Sequence, residues 1–369
     1  IQYKYFYKNA NNDNYNKEAY TLLDKFVHSL AMNPSSLKIS SKIEGLFGHN
    51  FQVNNLKPVF IIGLARSGST ALLNALYSIP EFGSYTYRDM PFITLPTLSR
   101  NIFKQSKNKS FQIERAHNDG HKIDIDSPEA FEEILWKLYY PSFYKKKYIK
   151  KIKPDDISKD FKFFFINQTN KIANISAKSK FSNELNIPAR YLSKNNANIS
   201  RINTIQKIYP NSIFLAPLRD PIEHANSLLN QHLRFLQKHS KDLFILKYMN
   251  DLGHYEFGVN HKTLILDKPF EVNEEPNKLE YWLKYWIYAY KYLRDHKANI
   301  KFISLTTLIE NENEAMKKVL KHIGHNSSWH KNSCFFKKSK TNFVVAKDLD
   351  PRLKFKAYSI YKDLLDRSL

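Results

Sequence analysis

The chain predicts an α/β fold in which a central, mostly parallel sheet is flanked by helices in three layers and carries helical additions. Three observations lead there. Short continuous apolar runs, such as 57–63 (KPVFIIG) and 213–218 (IFLAPL), have the length of strands buried on both faces. Between them lie stretches with apolar residues three and four apart, the spacing of helices. Finally, 42% hydrophobic residues in 369 are enough to bury a substantial core.

Taken in order, residues 11–51 carry helical patterning through Tyr20, Leu22, Leu23, Phe26, Val27 and Leu30, with a break near Asn33-Pro34. Residues 1–55 are therefore expected to form an N-terminal helical extension, and 56–369 the α/β domain. Its strands are expected at 57–63, 84–87, 191–193, 213–218 and 300–305. Helices are expected at 68–77, 222–237, 279–293, 314–323 and 353–365. A helical insertion around 128–181 is rich in lysine, including Lys145, Lys146, Lys147, Lys150, Lys151 and Lys153 among aromatic residues. It reads as a solvated basic face beside buried rings. An acidic acceptor or a peripheral membrane contact suits that face better than nucleic acid, for which no recognisable module is present.

The balance of 57 Lys plus Arg against 35 Asp plus Glu gives a net charge of +22, which favours a negatively charged substrate or partner. Lysine far outnumbers arginine, and Asn, Ile and Tyr are also abundant. The charge is thus a bias of the whole chain and selects no function by itself. The single cysteine, Cys334, excludes an internal disulfide framework and any cysteine-rich zinc or iron–sulfur site. A cytoplasmic location is expected. No apolar run approaches the ~20 residues of a membrane span, and IQYKYFYKN lacks the pattern of a secretory signal. Because the chain starts without Met, a trimmed leader or anchor, and with it membrane association, stays open.

The most informative stretch is Gly63-Leu64-Ala65-Arg66-Ser67-Gly68-Ser69-Thr70, between a buried strand and a helix. A strand, a glycine-containing turn and a helix direct backbone N–H groups and the positive helix end at one spot, which makes an anion site. Against the phosphate-loop pattern GxxxxGK[ST], Gly63, Gly68 and Thr70 are in register. Ser69, however, stands at the lysine position, and the basic residue is Arg66 instead. A nucleoside triphosphatase would lose its main β/γ-phosphate cation by that change. The chain is thus expected to be a P-loop-containing fold that binds phosphate-like groups in a different style.

A second element strengthens this expectation. Arg219 ends another buried strand, and Ser227 lies eight residues on, within the following helix. A strand-end guanidinium with a hydroxyl two turns into the next helix can clamp a second phosphate. Two separated anion clamps on one sheet edge suit a nucleotide phosphorylated at two places.

These residues resemble the sulfotransferases that use 3′-phosphoadenosine 5′-phosphosulfate (PAPS). In that family a loop similar to Gly63 through Thr70 binds the 5′-phosphosulfate, and an Arg–Ser pair with the spacing of Arg219 and Ser227 binds the 3′-phosphate. The resemblance also implies that Lys194, at the end of a short strand before the second clamp, serves the bridging oxygen. The segments SYTYRDMPFI, ERAHNDGHKIDIDSPEAFEE, YLSKNNANI and LGHYEFG look like a bacterial-type branch. The likeness runs over about 57–324. It departs where a late Gly-rich, Trp-Lys segment closes over PAPS in many members. The nearest basic stretch here is Lys337-Lys338-Ser339-Lys340, and Leu305-Thr306-Thr307-Leu308 lacks the Tyr often found after the last strand.

Cofactor contacts are therefore expected from Arg66, Ser67, Gly68, Ser69, Thr70, Arg219 and Ser227, with PAPS as donor substrate and no metal. Arg66, Asp89, Lys194 and Arg219 all follow or end strands and should line one crevice. Arg66, the loop amides and Lys194 are expected to stabilise charge growing on the leaving oxygens. Asp89, or alternatively His117 or His121, is expected to accept the proton of the acceptor. A carbohydrate or lipid-linked acceptor is expected, without a motif that names it. The competing readings are a P-loop kinase or nucleotide hydrolase, which needs Mg²⁺ and a lysine at position 69, and a non-catalytic nucleotide or anion binder.

Overall fold

The structure is a computed structural model that describes residues 21–47, 57–102, 113–114, 122–180, 189–325, 329, 334–338 and 349–369. Helices α1 (Leu22–Ala31) and α2 (Pro34–Phe47) precede strand β1 (Val59–Ile61), α3 (Ser69–Tyr77) and β2 (Phe82–Gly83). Helices α4 (Glu133–Tyr139) and α5 (Lys159–Lys180) lead to β3 (Arg190–Lys194) and β4 (Ile213–Leu218). The chain continues through α6 (Pro221–Lys241), α7 (Leu243–Leu252), α8 (Leu279–Asp295), β5 (Ile300–Ser304), α9 (Glu312–His322) and α10 (Pro351–Asp366). Shorter helices at Pro96–Ile102, Ile202–Ile208 and Leu305–Glu310 fill connections.

The five strands form one sheet in the order β2, β3, β1, β4, β5, and every neighbouring pair is parallel. Successive side chains of a strand point to opposite faces, so a strand covered on both sides must be apolar throughout. In β1 this holds at all three positions, none more than 1% exposed. Val59 and Ile61 join Leu192 and Leu215 in a core with Leu72 and Leu76 of α3 and Met316 of α9. Phe60 joins Tyr191 and Phe214 in the opposite core, with Phe165 of α5 and Trp286 of α8. Helices thus cover both faces, as the sequence predicts.

The strand order positions the site. After β1 the chain turns toward β2 at one edge, whereas after β4 it runs to β5 at the other edge. The loops leaving the carboxyl ends of adjacent strands β1 and β4 therefore diverge, and a crevice opens between them. Register places Ile61 beside Lys194 on one side and beside Leu215 on the other.

Two expectations shift in detail. Parallel pairing is confined to Phe82–Gly83, just before the run expected as a strand at 84–87, in which Thr86 makes only an isolated antiparallel bridge to Pro128. Beyond it the amides of Tyr87 and Arg88 donate to Ser127 and Ile125 carbonyls, and Tyr87–Asp89 is one 3₁₀ turn. The helical patterning of 11–51 resolves into α1 and α2 on either side of Asn33; residues 11–20 and 48–51 lie outside the described residues. Both helices are fastened to the body by buried polar pairs. His28 Nε2 lies 3.1 Å from Asp251 Oδ2, and fully buried Glu44 accepts from the Thr97 amide and lies 3.6 Å from Lys171 of α5. In the lysine-rich segment Lys145, Lys146, Lys147, Lys150 and Lys153 are exposed, while Lys151 bonds Asp267.

Among the described residues, no helix is long and apolar enough to cross a membrane. Close packing of α5 on β2 depends on Gly83, where a Cβ would stand 2.1 Å from the Ala173 carbonyl oxygen. Gly83→Ala is expected to destabilise the fold by about 1–3 kcal/mol or more, because helix backbone must retreat. Gly45→Ala, on α2 with no heavy atom within 4 Å of the new methyl, should instead be neutral or slightly stabilising. Urea unfolding of the two variants checks the contrast.

Candidate functional site

The turn from β1 into α3 coils through three residues with positive φ: Gly63 at 134°, Arg66 at 69° and Gly68 at 97°. At Gly68 a Cβ would also come within 2.7 Å of Leu305 Cδ1, the end of a half-buried side chain that can give way, so it is the backbone conformation that requires glycine. Arg66 has no such freedom, and a left-handed conformation costs a residue with a Cβ roughly 1–2 kcal/mol. Gly68 is the N-cap of α3 and offers no side-chain cap. The first amides of the helix consequently end at the loop without that partner, in the arrangement that attracts oxyanions. Ser67 and Ser69 are buried, and Thr70 is half-buried.

What holds the strained loop comes from β4 and α6. Arg219 Nη1 donates to the Arg66 carbonyl at 3.4 Å, His224 Nε2 lies 2.7 Å from the Ala65 carbonyl, and Arg66 Nε donates to Ser227 Oγ at 3.2 Å. Helix α6 can present these side chains because Pro221 starts it and Asp220 caps it, accepting from the amides of Ile222 and Glu223. The sequence places these groups in two separated clamps, whereas in the structure Arg66, Arg219 and Ser227 are in direct contact. Arg219 is buried, its other hydrogen bond is a long 3.5 Å one to Glu223, and its Nε has no hydrogen-bond partner among the described residues. Burial pushes its pKa down from the ordinary value, opposed by Glu223. A buried guanidinium with an unused donor is suited to an added oxyanion.

Lys194 closes the other side of the crevice at the end of β3. Its ammonium lies 4.0 Å from Glu129 Oε1, and both side chains are largely buried. Glu129 also accepts from the Ala130 amide and the Tyr87 hydroxyl. The residues after Lys194 are held from below. Asn195 Nδ2 donates to Glu133 Oε2 at 2.7 Å, and Arg201 grips the same carboxylate with two bonds of 2.6 and 2.8 Å. Both members of that pair are almost without exposure; desolvation raises the Glu133 pKa, but Arg201 together with hydrogen bonds from Tyr144 and Asn195 outweighs it and holds the carboxyl below its ordinary value.

Asp89 occupies a different kind of place from the one expected of a base. It is completely buried, and both its oxygens receive bonds of 2.7 Å from Arg100. Oδ2 also accepts from the amide and hydroxyl of Thr86. Neither oxygen is open to a substrate proton, so the carboxylate serves the 3₁₀ turn it caps. The carboxylate recorded beside Lys194 is Glu129, which sequence reasoning passed over inside the segment SPEAFEE. His117 and His121 lie outside the described residues. His224 was also missed, although its position on the helix face between Arg219 and Ser227 was available as a signal.

Comparison with known proteins bears on this constellation. A model described as the Sulfotransferase family matches residues 58–265, more than half of the chain, and spans the loop, Glu129, Lys194, Arg219 and Ser227. The chain belongs to the sulfotransferase family. Among solved structures it is similar to sulfotransferase STF1 from Mycobacterium tuberculosis H37Rv, with a TM-score of 0.46 and 11% identity over 94% of this chain and 86% of that one. It is also similar to STF9 from Mycobacterium avium (TM-score 0.42, 10% identity, 90% and 74% covered). A sulfotransferase from Alicyclobacillus acidocaldarius gives 0.38 and 12%, with 85% and 97% covered. No curated protein gives a significant match.

In this sulfotransferase-family chain the crevice continues into a pocket beside Leu64 and Ala65 of the loop. Its polar lining includes Asn195, Asn196, His254 and Glu256, and its apolar wall includes Trp282 and Tyr285. Asn196 Nδ2 donates to Glu256 Oε1 at 2.7 Å, which ties the 253–262 segment to the residues after Lys194. Among the described residues, no three His, Cys, Asp or Glu side chains cluster so as to hold a metal ion.

Burial holds three imidazoles around the site neutral: His224 and His261 are each pushed down to about 3 and His232 to about 4. The unfolded imidazoles, near the ordinary 6.5, bind protons that the folded ones refuse. Their contribution to stability is therefore complete above about pH 6.5 and is lost as pH falls toward 3. Urea midpoints should be flat at neutral pH and decline below pH 6.5, and His224→Gln should make that decline shallower by up to one proton.

Proposed function

We propose that the chain transfers the sulfuryl group of PAPS to a hydroxyl, or less readily an amine, of a carbohydrate or lipid-linked acceptor and releases 3′,5′-adenosine bisphosphate (PAP). The observation that carries this reading is the meeting of Arg66, Arg219 and Ser227 with the N-terminus of α3, which has no side-chain cap, at the divergence of β1 and β4. Residues 63–70, with Arg66 and the amides of Ser67, Gly68, Ser69 and Thr70, would hold the 5′-phosphosulfate. Arg219 and Ser227 would take the 3′-phosphate, the unused Arg219 Nε being the donor left for it.

PAPS supplies the sulfuryl group together with a phosphate leaving group. The chain's own residues would stabilise the negative charge that grows on the leaving oxygens, with Lys194 on the strand beside β1 as the side-chain cation and the loop amides as backbone donors. Glu129, beside Lys194, is the carboxylate placed to take the acceptor's proton, in place of Asp89. The adjoining pocket, with Asn196 and Glu256 on one side and rings on the other, suits a polyhydroxylated acceptor group. The lone Cys334 is consistent with a cytoplasmic site of action.

Titration of thermal stability with PAP and, separately, with ATP plus Mg²⁺ tests the donor. PAP should stabilise the protein more strongly. Arg219→Ala should weaken PAP binding by about ten- to a hundredfold, the value of a hydrogen bond to a charged group. Lys194→Ala and Glu129→Gln should each lower the transfer rate from labelled PAPS by about 10²–10³ with PAP binding largely kept. An equal response to both nucleotides would instead support a kinase, hydrolase or plain nucleotide binder, against which Ser69 at the lysine position already speaks.

A further inference from the structure

The two N-terminal helices are built inside out. In α1 the buried positions include Asp24 and His28, while Leu22, Phe26 and Leu30, four residues apart and so along one stripe, face solvent on the opposite side. In α2 the buried positions include Leu37 and Glu44, and Ile39, Ile43 and Leu46 form the outward stripe. These six side chains are between 37% and 84% exposed. A helix that only packs on a core turns such residues inward. Here the inward polar groups are satisfied by partners on the body, Asp251 for His28 and Lys171 for Glu44. The orientation is thus held by specific bonds.

On α1 and α2 the outward charge is basic, and the start of α7 carries the half-buried cap Asp242 between exposed Lys241 and Leu243. Between residues 21 and 47 the acidic side chains are Asp24 and Glu44, and both are buried. The lysines of the same span, Lys25, Lys38 and Lys42, are half-buried or exposed. Lys25 extends over the ring of Phe244, and the adjoining start of α7 adds Leu243, 76% exposed, to the apolar rim. The combination of apolar stripes, bordering lysines and no outward acid on α1 or α2 is complementary to an anionic lipid surface, into which the apolar residues insert while the ammonium groups meet headgroups.

We infer that α1, α2 and the start of α7 form a docking surface for an anionic membrane. The docked face is coupled to the candidate acceptor pocket by short covalent distance. Helix α7 carries Asp251, the partner of His28, and ends at Leu252, directly before Gly253 and His254 of the pocket lining.

Co-sedimentation of the full chain with vesicles tests the inference. Vesicles of phosphatidylcholine with phosphatidylglycerol should bind it, vesicles of phosphatidylcholine alone should not, and high salt should release it. The double variant Phe26→Glu/Leu30→Glu and, separately, Lys38→Glu/Lys42→Glu should each weaken partitioning about tenfold or more. Lys317→Glu, on α9, should leave it nearly unchanged. Unfolding midpoints equal to wild type would show that the exposed substitutions leave the fold intact. Binding that drops equally for the α9 control would reduce the effect to net charge and overturn the inference. So would unchanged binding in both double variants, or no vesicle binding together with a concentration-dependent dimer that Phe26→Glu/Leu30→Glu dissolves.

Discussion

The site depends on a loop that cannot hold its own shape. Arg66 sits in a left-handed conformation without the freedom of glycine, and the carbonyls of Ala65 and Arg66 turn back toward the next strand's helix. Three side chains of β4 and α6 stabilise this turn: Arg219, His224 and Ser227. Each of those bonds exists only because β1 and β4 are neighbours whose outgoing chains diverge. The same divergence opens the crevice. Conformational strain, sheet order and the anion cradle are one arrangement, and a change in any of them is felt by the others.

Desolvation is the second organising effect, and it works in opposite ways at different groups. His224 is kept neutral so that it can contact a carbonyl oxygen without bringing a third positive charge next to Arg66 and Arg219. Arg201 and Glu133 stay ionised in a fully buried site because each carboxylate oxygen and both terminal nitrogens are engaged, and Asn195 and Tyr144 complete the network. A buried pair of this kind is more informative about geometry than about stability. Its geometric consequence is that the chain after Lys194 is fixed, and with it the reach of the lysine into the crevice. Lys194 itself is left beside Glu129 at a distance longer than a tight ion pair, so its ammonium has room to change partner.

The different surroundings of Asp89 and Glu129 show how little of a carboxylate's environment a motif specifies. Asp89 follows an apolar stretch near the loop, which is where a base would be sought. Tertiary packing brings Arg100, eleven residues on, against both of its oxygens. Glu129 lies in a segment whose pattern is helical and unremarkable, and reaches Lys194 only after the chain has crossed from the 3₁₀ turn to α4. One-dimensional spacing contains no record of either contact, because both partners belong to different elements whose approach is set by the cores beneath them.

By itself the sequence determined the layered α/β architecture, since continuous apolar runs and helical spacing are local properties that survive in the chain without any tertiary context. It also determined the composition of the loop, with Gly63, Arg66 and Gly68 in order, Ser69 where a triphosphatase needs lysine, and the Arg219–Ser227 interval, all of which are distances along one or two turns of backbone. The tertiary structure decided that the two clamps form a single cradle, that Asp89 is closed by Arg100 while Glu129 faces Lys194, and that α1 and α2 turn their apolar stripes outward. Those outcomes rest on contacts between residues tens to hundreds of positions apart. They are settled by which surfaces the sheet and its cores leave to be filled, and local pattern does not encode that choice.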